Sequence, residues 1–229
     1  MQYQLIKSKR KTIAISFDRD GNLVVKAPYF VRKSDIEAFL LEKNEWMNAT
    51  LERLKREKNR ADKEKIKLEN GDELYYLGEK RILTVIREER KRAKVKCVMD
   101  RILLWVPYEA DYEYKKEQLE KWYRKQAAEI ITKKAAAFAK IMSVQFEEIR
   151  IKDQKSRWGS CSSKGNLNFN WRIIMAPEPV CNYVILHELS HLIYMNHSEA
   201  FWETVKRYCP DYRQDKKWLK EKSNSLYLF

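Results

Sequence analysis

The stretch Val184-Ile185-Leu186-His187-Glu188-Leu189-Ser190-His191 constrains this chain more than any other. It reads H-E-x-x-H inside an apolar run. On a helix, His187 and His191 stand one turn apart on one face, so two imidazoles can reach one metal ion. Glu188 lies between them, in reach of a metal-activated water whose proton it can take. The chain has three histidines, and the third, His197, lies close behind the motif. Scattered surface or core histidines would not cluster so tightly. On a continued helix His197 would point about 120° away from His191, so the helix must end first. Met195-Asn196 is the expected break, because Asn tolerates the left-handed conformation that ends helices. Ser198 then caps the next helix. Three nitrogens with a fourth position open for water is the ligand count of a catalytic zinc site. His187, His191 and His197 are the expected ligands, with Glu199 and Glu203 as rivals for the third place.

The rest of the chain alternates short strands with amphipathic helices. Lys11 to Ala27 predicts a hairpin through Asp20-Gly21, closed by Pro28. Ser34 with Glu37 reads as a capping box opening a helix through Ile36, Phe39, Leu40, Trp46 and Met47. Lys55–Lys67 is dense in mixed charge and reads as a solvated helix end or linker. Strand-like segments fill Tyr75–Val98, and a second hairpin spans Val95–Val106 and ends at Pro107. Val25-Lys26-Ala27-Pro28-Tyr29 and Leu104-Trp105-Val106-Pro107-Tyr108 echo one another. The echo is either a duplicated unit or the common habit of hairpins to end in proline. The clearest helix covers 113–142, with Leu119, Trp122, Tyr123, Ile131 and Phe138 at helical spacing. A strand at Phe146–Ile151 and a hairpin through Lys164-Gly165-Asn166 follow, and Pro177 and Pro179 open the metal helix.

The spacing of the histidines also matches the metzincin pattern. That pattern has a glycine where this chain has Tyr194, and it needs a methionine further on, yet none follows Met195. A second resemblance fits the residues. Ser156-Arg157-Trp158-Gly159-Ser160-Cys161, Asn170-Trp171-Arg172, the H-E-x-x-H run, Asn196-His197-Ser198 with Phe201-Trp202, and Pro210-Asp211-Tyr212 occur in order. Together they resemble the YgjP-like family of zinc metallopeptidases. The resemblance implies an α+β, zincin-like core: a long helix, a small sheet, the metal helix and a further helix delivering the third ligand. It implies kinship with SprT-like and Wss1-like proteases, although the cysteine-rich ribbon common in SprT-like proteins is missing. It also leaves room for nucleotide pyrophosphatase activity, assigned to some relatives. The expected organisation is a β-hairpin and helix module over 1–110 and a zincin-like metallohydrolase domain over 111–229.

Several motif residues keep two readings. Arg157 and Arg172 either bind an anionic substrate or pair with local carboxylates. Trp158, Trp171, Phe201 and Trp202 are expected beneath the site as core. Gly159 either admits a substrate strand or allows a bulge. Cys161 is either an inert thiol or a zinc ligand of a latent form. Tyr183, Tyr194 and Tyr212 are candidate oxyanion stabilisers.

Composition narrows the partners. The net charge is +14, from 47 basic and 33 acidic residues, and no basic tail stands apart. Such a surface either recruits nucleic acid or nucleotides, with Arg87, Arg90, Lys91 and Arg92 as a candidate cluster, or serves solubility. Cys97, Cys161, Cys181 and Cys209 form no C-x-x-C pair and read as reduced thiols. With no signal peptide and no long apolar run, a cytoplasmic protein without a membrane partner is expected. The expected function is zinc-dependent hydrolysis of peptide bonds in a peptide or protein substrate. The alternatives are a metal-dependent nucleoside triphosphate pyrophosphohydrolase and a nucleic-acid-binding module with a structural zinc.

Overall fold

The computed structural model describes residues 3–18, 22–63, 66–154 and 156–227, with 55–63 and 224 described by backbone alone. The chain divides into two compact units, Met1–Lys65 and Ile66–Phe229. Strands between 66 and 110 therefore belong with the second unit, not with an N-terminal module reaching residue 110. The reason is a shared core: Leu74, Leu83, Leu104 and Val106 pack in one cluster with Leu119, Tyr123 and Ile185. The class is α+β. Among the described residues no helix is long and apolar enough to cross a membrane.

In the first unit, β1 (Gln4–Ser8), β2 (Ala14–Phe17) and β3 (Leu23–Pro28) form a sheet in the order β1-β3-β2. β2 and β3 are the expected antiparallel hairpin, while its Asp20-Gly21 turn lies outside the described residues. β1 joins β3 in parallel. Leu23, Val25 and Ala27 turn inward on one face of β3 and meet Ile36 and Leu40 of α1 (Lys33–Glu42) and Met47. The capping box does not form. The helix opens at Arg32 with no side-chain cap, and the Ser34 hydroxyl turns to Asp35. The expected single helix is two, broken at Lys43, with α2 running Asn44–Lys63. The charged Lys55–Lys67 stretch is thus helical in backbone as far as Lys63, and its side chains up to residue 65 lie outside the description.

The second unit holds two sheets around one long helix. β4 (Glu73–Tyr76), β5 (Glu79–Arg87), β6 (Lys94–Val98) and β7 (Arg101–Val106) are ordered β4-β5-β7-β6. β8 (Glu148–Lys152), β9 (Gly159–Cys161) and β10 (Asn166–Asn170) are ordered β8-β10-β9, so β9 is an edge. α3 (Tyr112–Met142) begins at Asp111, whose carboxylate accepts the Tyr114 N–H at 2.8 Å. Its buried stripe sets the large Leu119, Tyr123 and Ile131 beside the small Ala127 and Ala135, and the alanines let neighbouring elements approach closely. The 3-10 helix Trp171–Met175 leads into α4 (Glu178–Ser190), followed by α5 (Glu199–Tyr208) and α6 (Tyr212–Lys222).

The echo noted in the sequence is a duplicated unit with matched register. Lys7 opposite Ala27 answers to Arg87 opposite Val106, and Ala14 opposite Lys26 answers to Lys94 opposite Trp105. Each copy is a strand, a hairpin whose last strand pairs in parallel with it, a Pro-Tyr turn and a helix. A basic side chain clamps that turn in both. Lys7 Nζ donates to the Tyr29 and Val31 carbonyls at 3.2 and 2.9 Å, and Arg87 Nη1 donates to those of Tyr108 and Ala110 at 2.7 and 3.1 Å.

Candidate metal centre

The metal helix is anchored at its start by the β4–β5 turn. Leu77 and Gly78 take positive φ, 54° and 83°, and donate their N–H groups to the Ile174 and Met175 carbonyls. A Cβ at Gly78 would sit 2.6 Å from Pro177 Cα, so glycine alone allows this approach. Pro177 and Pro179 then open α4 as expected.

α4 ends at His191, earlier than Met195-Asn196. No left-handed residue closes it, because Asn196 is absent from the positive-φ residues. Short-range bonds do the work: Leu192 N–H to Leu189, and Ile193 and Tyr194 N–H to Ser190. Asn196 instead accepts the Ser198 N–H at 3.3 Å, and Ser198 caps α5 through the Phe201 N–H. The chain returns His197 to the helix face carrying His187 and His191.

The three imidazoles offer ligand atoms that all lie within 4.8 Å of one another. His187 Nε2 and His197 Nε2 are 3.1 Å apart. Tetrahedral coordination at about 2.05 Å would separate two nitrogens by about 3.3 Å. Two lone pairs this close repel unless a proton or a cation lies between them, so the donor set fits a metal ion. His191 Nδ1 is 3.1 Å from the Tyr194 carbonyl, which can only accept; the proton therefore sits on Nδ1 and Nε2 keeps its lone pair. Burial, then the neighbouring His191, His197 and Lys216, hold His187 down to about 3, so its ring is neutral. Burial likewise lowers His191. Neutral imidazoles are what metal ligation requires. Among the described residues the buried His187 Nδ1 has no hydrogen-bond partner, which leaves that ring held by packing. Phe201 supplies it: the ring stacks on His191 at 4.5 Å and meets His187 and His197 edge-on, while Trp202 stacks on His197 at 5.6 Å.

Glu188 is 5% exposed. A Cβ on Gly159 would lie 2.6 Å from its Oε1, so the carboxylate rests against the bare backbone of β9. Burial pushes the Glu188 carboxyl up to about 8, against the pull of Arg157. Gly159 therefore accommodates Glu188, a contact that neither sequence reading of this glycine anticipated. Cys161 is half-buried, its thiol raised to about 11 by burial and then by Glu188, and it lies outside the histidine group. Glu199 and Glu203 are also outside that group.

The other motif residues separate into support and surface. Arg172 is buried, paired with Asp153, and stacked on Trp171 at 4.1 Å, so it is structural. Arg157 is exposed. Trp171 and Phe201 are fully buried; Trp158 and Trp202 are half-buried. Tyr183 stacks on Tyr212 at 6.4 Å, both buried, whereas Tyr194 is partly exposed. In the basic cluster, Arg87 is engaged in its clamp and Arg90 pairs with Glu88 at 2.7 Å.

The family described as YgjP-like, metallopeptidase domain, matches residues 11–222. The chain belongs to the YgjP-like metallopeptidase family. No curated protein matches the sequence significantly. Among solved structures, the metallopeptidase zymogen of Pyrococcus abyssi abylysin is 21% identical over 39% of this chain and 93% of its own, with a TM-score of 0.34. The metallopeptidase zymogen of Methanocaldococcus jannaschii jannalysin is 22% identical over 40% of this chain and 95% of its own, also at 0.34. Membership makes this YgjP-like chain a hydrolase of the metallopeptidase kind, and its three-histidine group could hold a metal ion.

Proposed function

We propose that the chain is a zinc-dependent peptidase in which His187, His191 and His197 hold the metal and Glu188 is the general base. The observation that supports this most is the convergence of three imidazoles beside one buried carboxyl group. Zinc in such a site supplies Lewis-acid polarisation of a carbonyl and acidifies water. The residues do the rest. The Tyr194 carbonyl fixes the tautomer of His191, and Phe201 and Trp202 fix the ring planes. Glu188, seated on Gly159, is a carboxyl whose proton affinity burial raises, which suits a group that takes a proton from water and returns it to the leaving amine. The edge position of β9 leaves backbone available beside that carboxylate.

Glu188→Gln preserves shape and removes the basic oxygen. Zinc content and melting temperature should stay near wild type while peptide hydrolysis falls roughly 10²–10⁴-fold. Full turnover in this variant would remove Glu188 from the chemistry. His187→Ala should lose zinc and activity together.

A further inference from the structure

The two copies of the strand-hairpin-helix unit differ in one respect that bears on binding. In the second copy the outer edge of the first strand, β5, is covered. The Leu83 N–H donates to the Asp72 carbonyl at 2.7 Å and its carbonyl accepts the Gly71 N–H at 3.0 Å. The Val85 N–H donates to Asn70 Oδ1 at 2.6 Å, and β4 continues the pairing antiparallel. The covering stretch Leu68–Leu74 buries both leucines fully and brings in Glu69, whose carboxylate pairs with Lys115 and lies 3.9 Å from Arg87. Beneath it, Leu83 and Val85 are 0% and 7% exposed.

In the first copy the counterpart of β5 is β1, with Tyr3, Leu5 and Lys7 at the places of Leu83, Val85 and Arg87. β1 is an edge of its sheet, and among the described residues no backbone hydrogen bond joins its outer side to another segment. Leu5 is 40% exposed where Val85 is buried. Ile36 replaces Lys115, so Lys7 is the cation that both copies keep, and Lys9, Arg10 and Lys11 follow it closely. An exposed strand edge with unpaired amides and an apolar side chain is a template for another chain.

We propose that the free edge of β1 docks an extended, acidic segment of a partner polypeptide by strand addition, as residues 68–74 cover β5. The incoming backbone pairs with the amides and carbonyls of Tyr3, Leu5 and Lys7, an apolar side chain covers Leu5, and a carboxylate answers Lys7. The charge of the edge selects an acidic segment, and the internal copy shows what such a segment looks like. The inference does not depend on the zinc-peptidase reading.

A labelled synthetic peptide with the sequence of residues 66–76 is the probe, titrated against the full chain by fluorescence anisotropy. Saturable binding is expected, weakened at least tenfold when the peptide carries Glu69→Lys, and weakened similarly by Leu5→Pro, which deletes one edge amide. The peptide variant leaves the protein untouched, so misfolding of Leu5→Pro cannot obscure the result. No binding at about 1 mM peptide overturns the proposal, as does equal affinity for the Glu69→Lys peptide. Sedimentation showing that the unaltered chain dimerises, and that Leu5→Pro abolishes the dimer, would also overturn it by giving the edge to a second copy.

Discussion

A methyl group at position 159 would occupy the volume that the Glu188 carboxylate fills, its carbon 2.6 Å from both Oε1 and Cγ. Something must shift, and Glu188 has little room because it is already buried. Gly159→Ala should therefore act through Glu188: hydrolysis should fall about 10²-fold, within the usual share of general acid–base catalysis, while zinc content holds. Unchanged activity in that variant would mean that the carboxylate can work from elsewhere. The third ligand is open to a similar residue-level check. His197→Ala should lower zinc affinity, because its Nε2 stands 3.1 Å from that of His187. Glu203→Ala should leave affinity alone. The reverse pattern in a zinc titration would move the ligand to the following helix. The histidine cluster was legible because helical spacing and the rarity of histidine are both sequence properties. The seat of Glu188 was not, since Gly159 and Glu188 meet only after β9 has folded onto α4.

Elements followed the same division between local and distant pairing. The hairpins β2–β3, β6–β7 and β9–β10 announce themselves through alternation and turns between neighbours. The parallel partners β1–β3, β5–β7 and β8–β10 join strands separated by long stretches of chain, so no turn signal marks them. β1 escaped sequence reading for that reason. The expected capping box failed because the helix begins before Ser34, which places that hydroxyl inside the first turn. The anchor of the metal helix belongs to the same class of distant contact. Gly78→Ala would need a positive φ for alanine and a Cβ inside Pro177. It should cost at least about 1 kcal/mol, lowering the melting temperature by about 2–4 °C per kcal/mol. Thermal melting of the variant with zinc bound measures this, and an unchanged midpoint would show that the β4–β5 turn does not secure α4.

At the scale of the molecule, the two units keep separate cores. One cluster is built from residues up to Met47 and the other from Leu68 onward. All three histidines, Glu188, Gly159 and the Gly78 anchor lie in Ile66–Phe229. Among the described residues, the first unit supplies six buried apolar side chains to its cluster, a small core for a folded module. The second unit should therefore fold and bind metal without the first. A chain of residues 66–229 should give a helical circular dichroism spectrum, melt cooperatively and bind one zinc ion per chain with the affinity of the full protein. Removal of zinc by a chelator should lower its melting temperature, since an ion that binds only the folded state stabilises it by mass action. An insoluble product, or one that folds but holds no zinc, would show that the metal centre depends on residues 1–65, which the division of the cores does not predict.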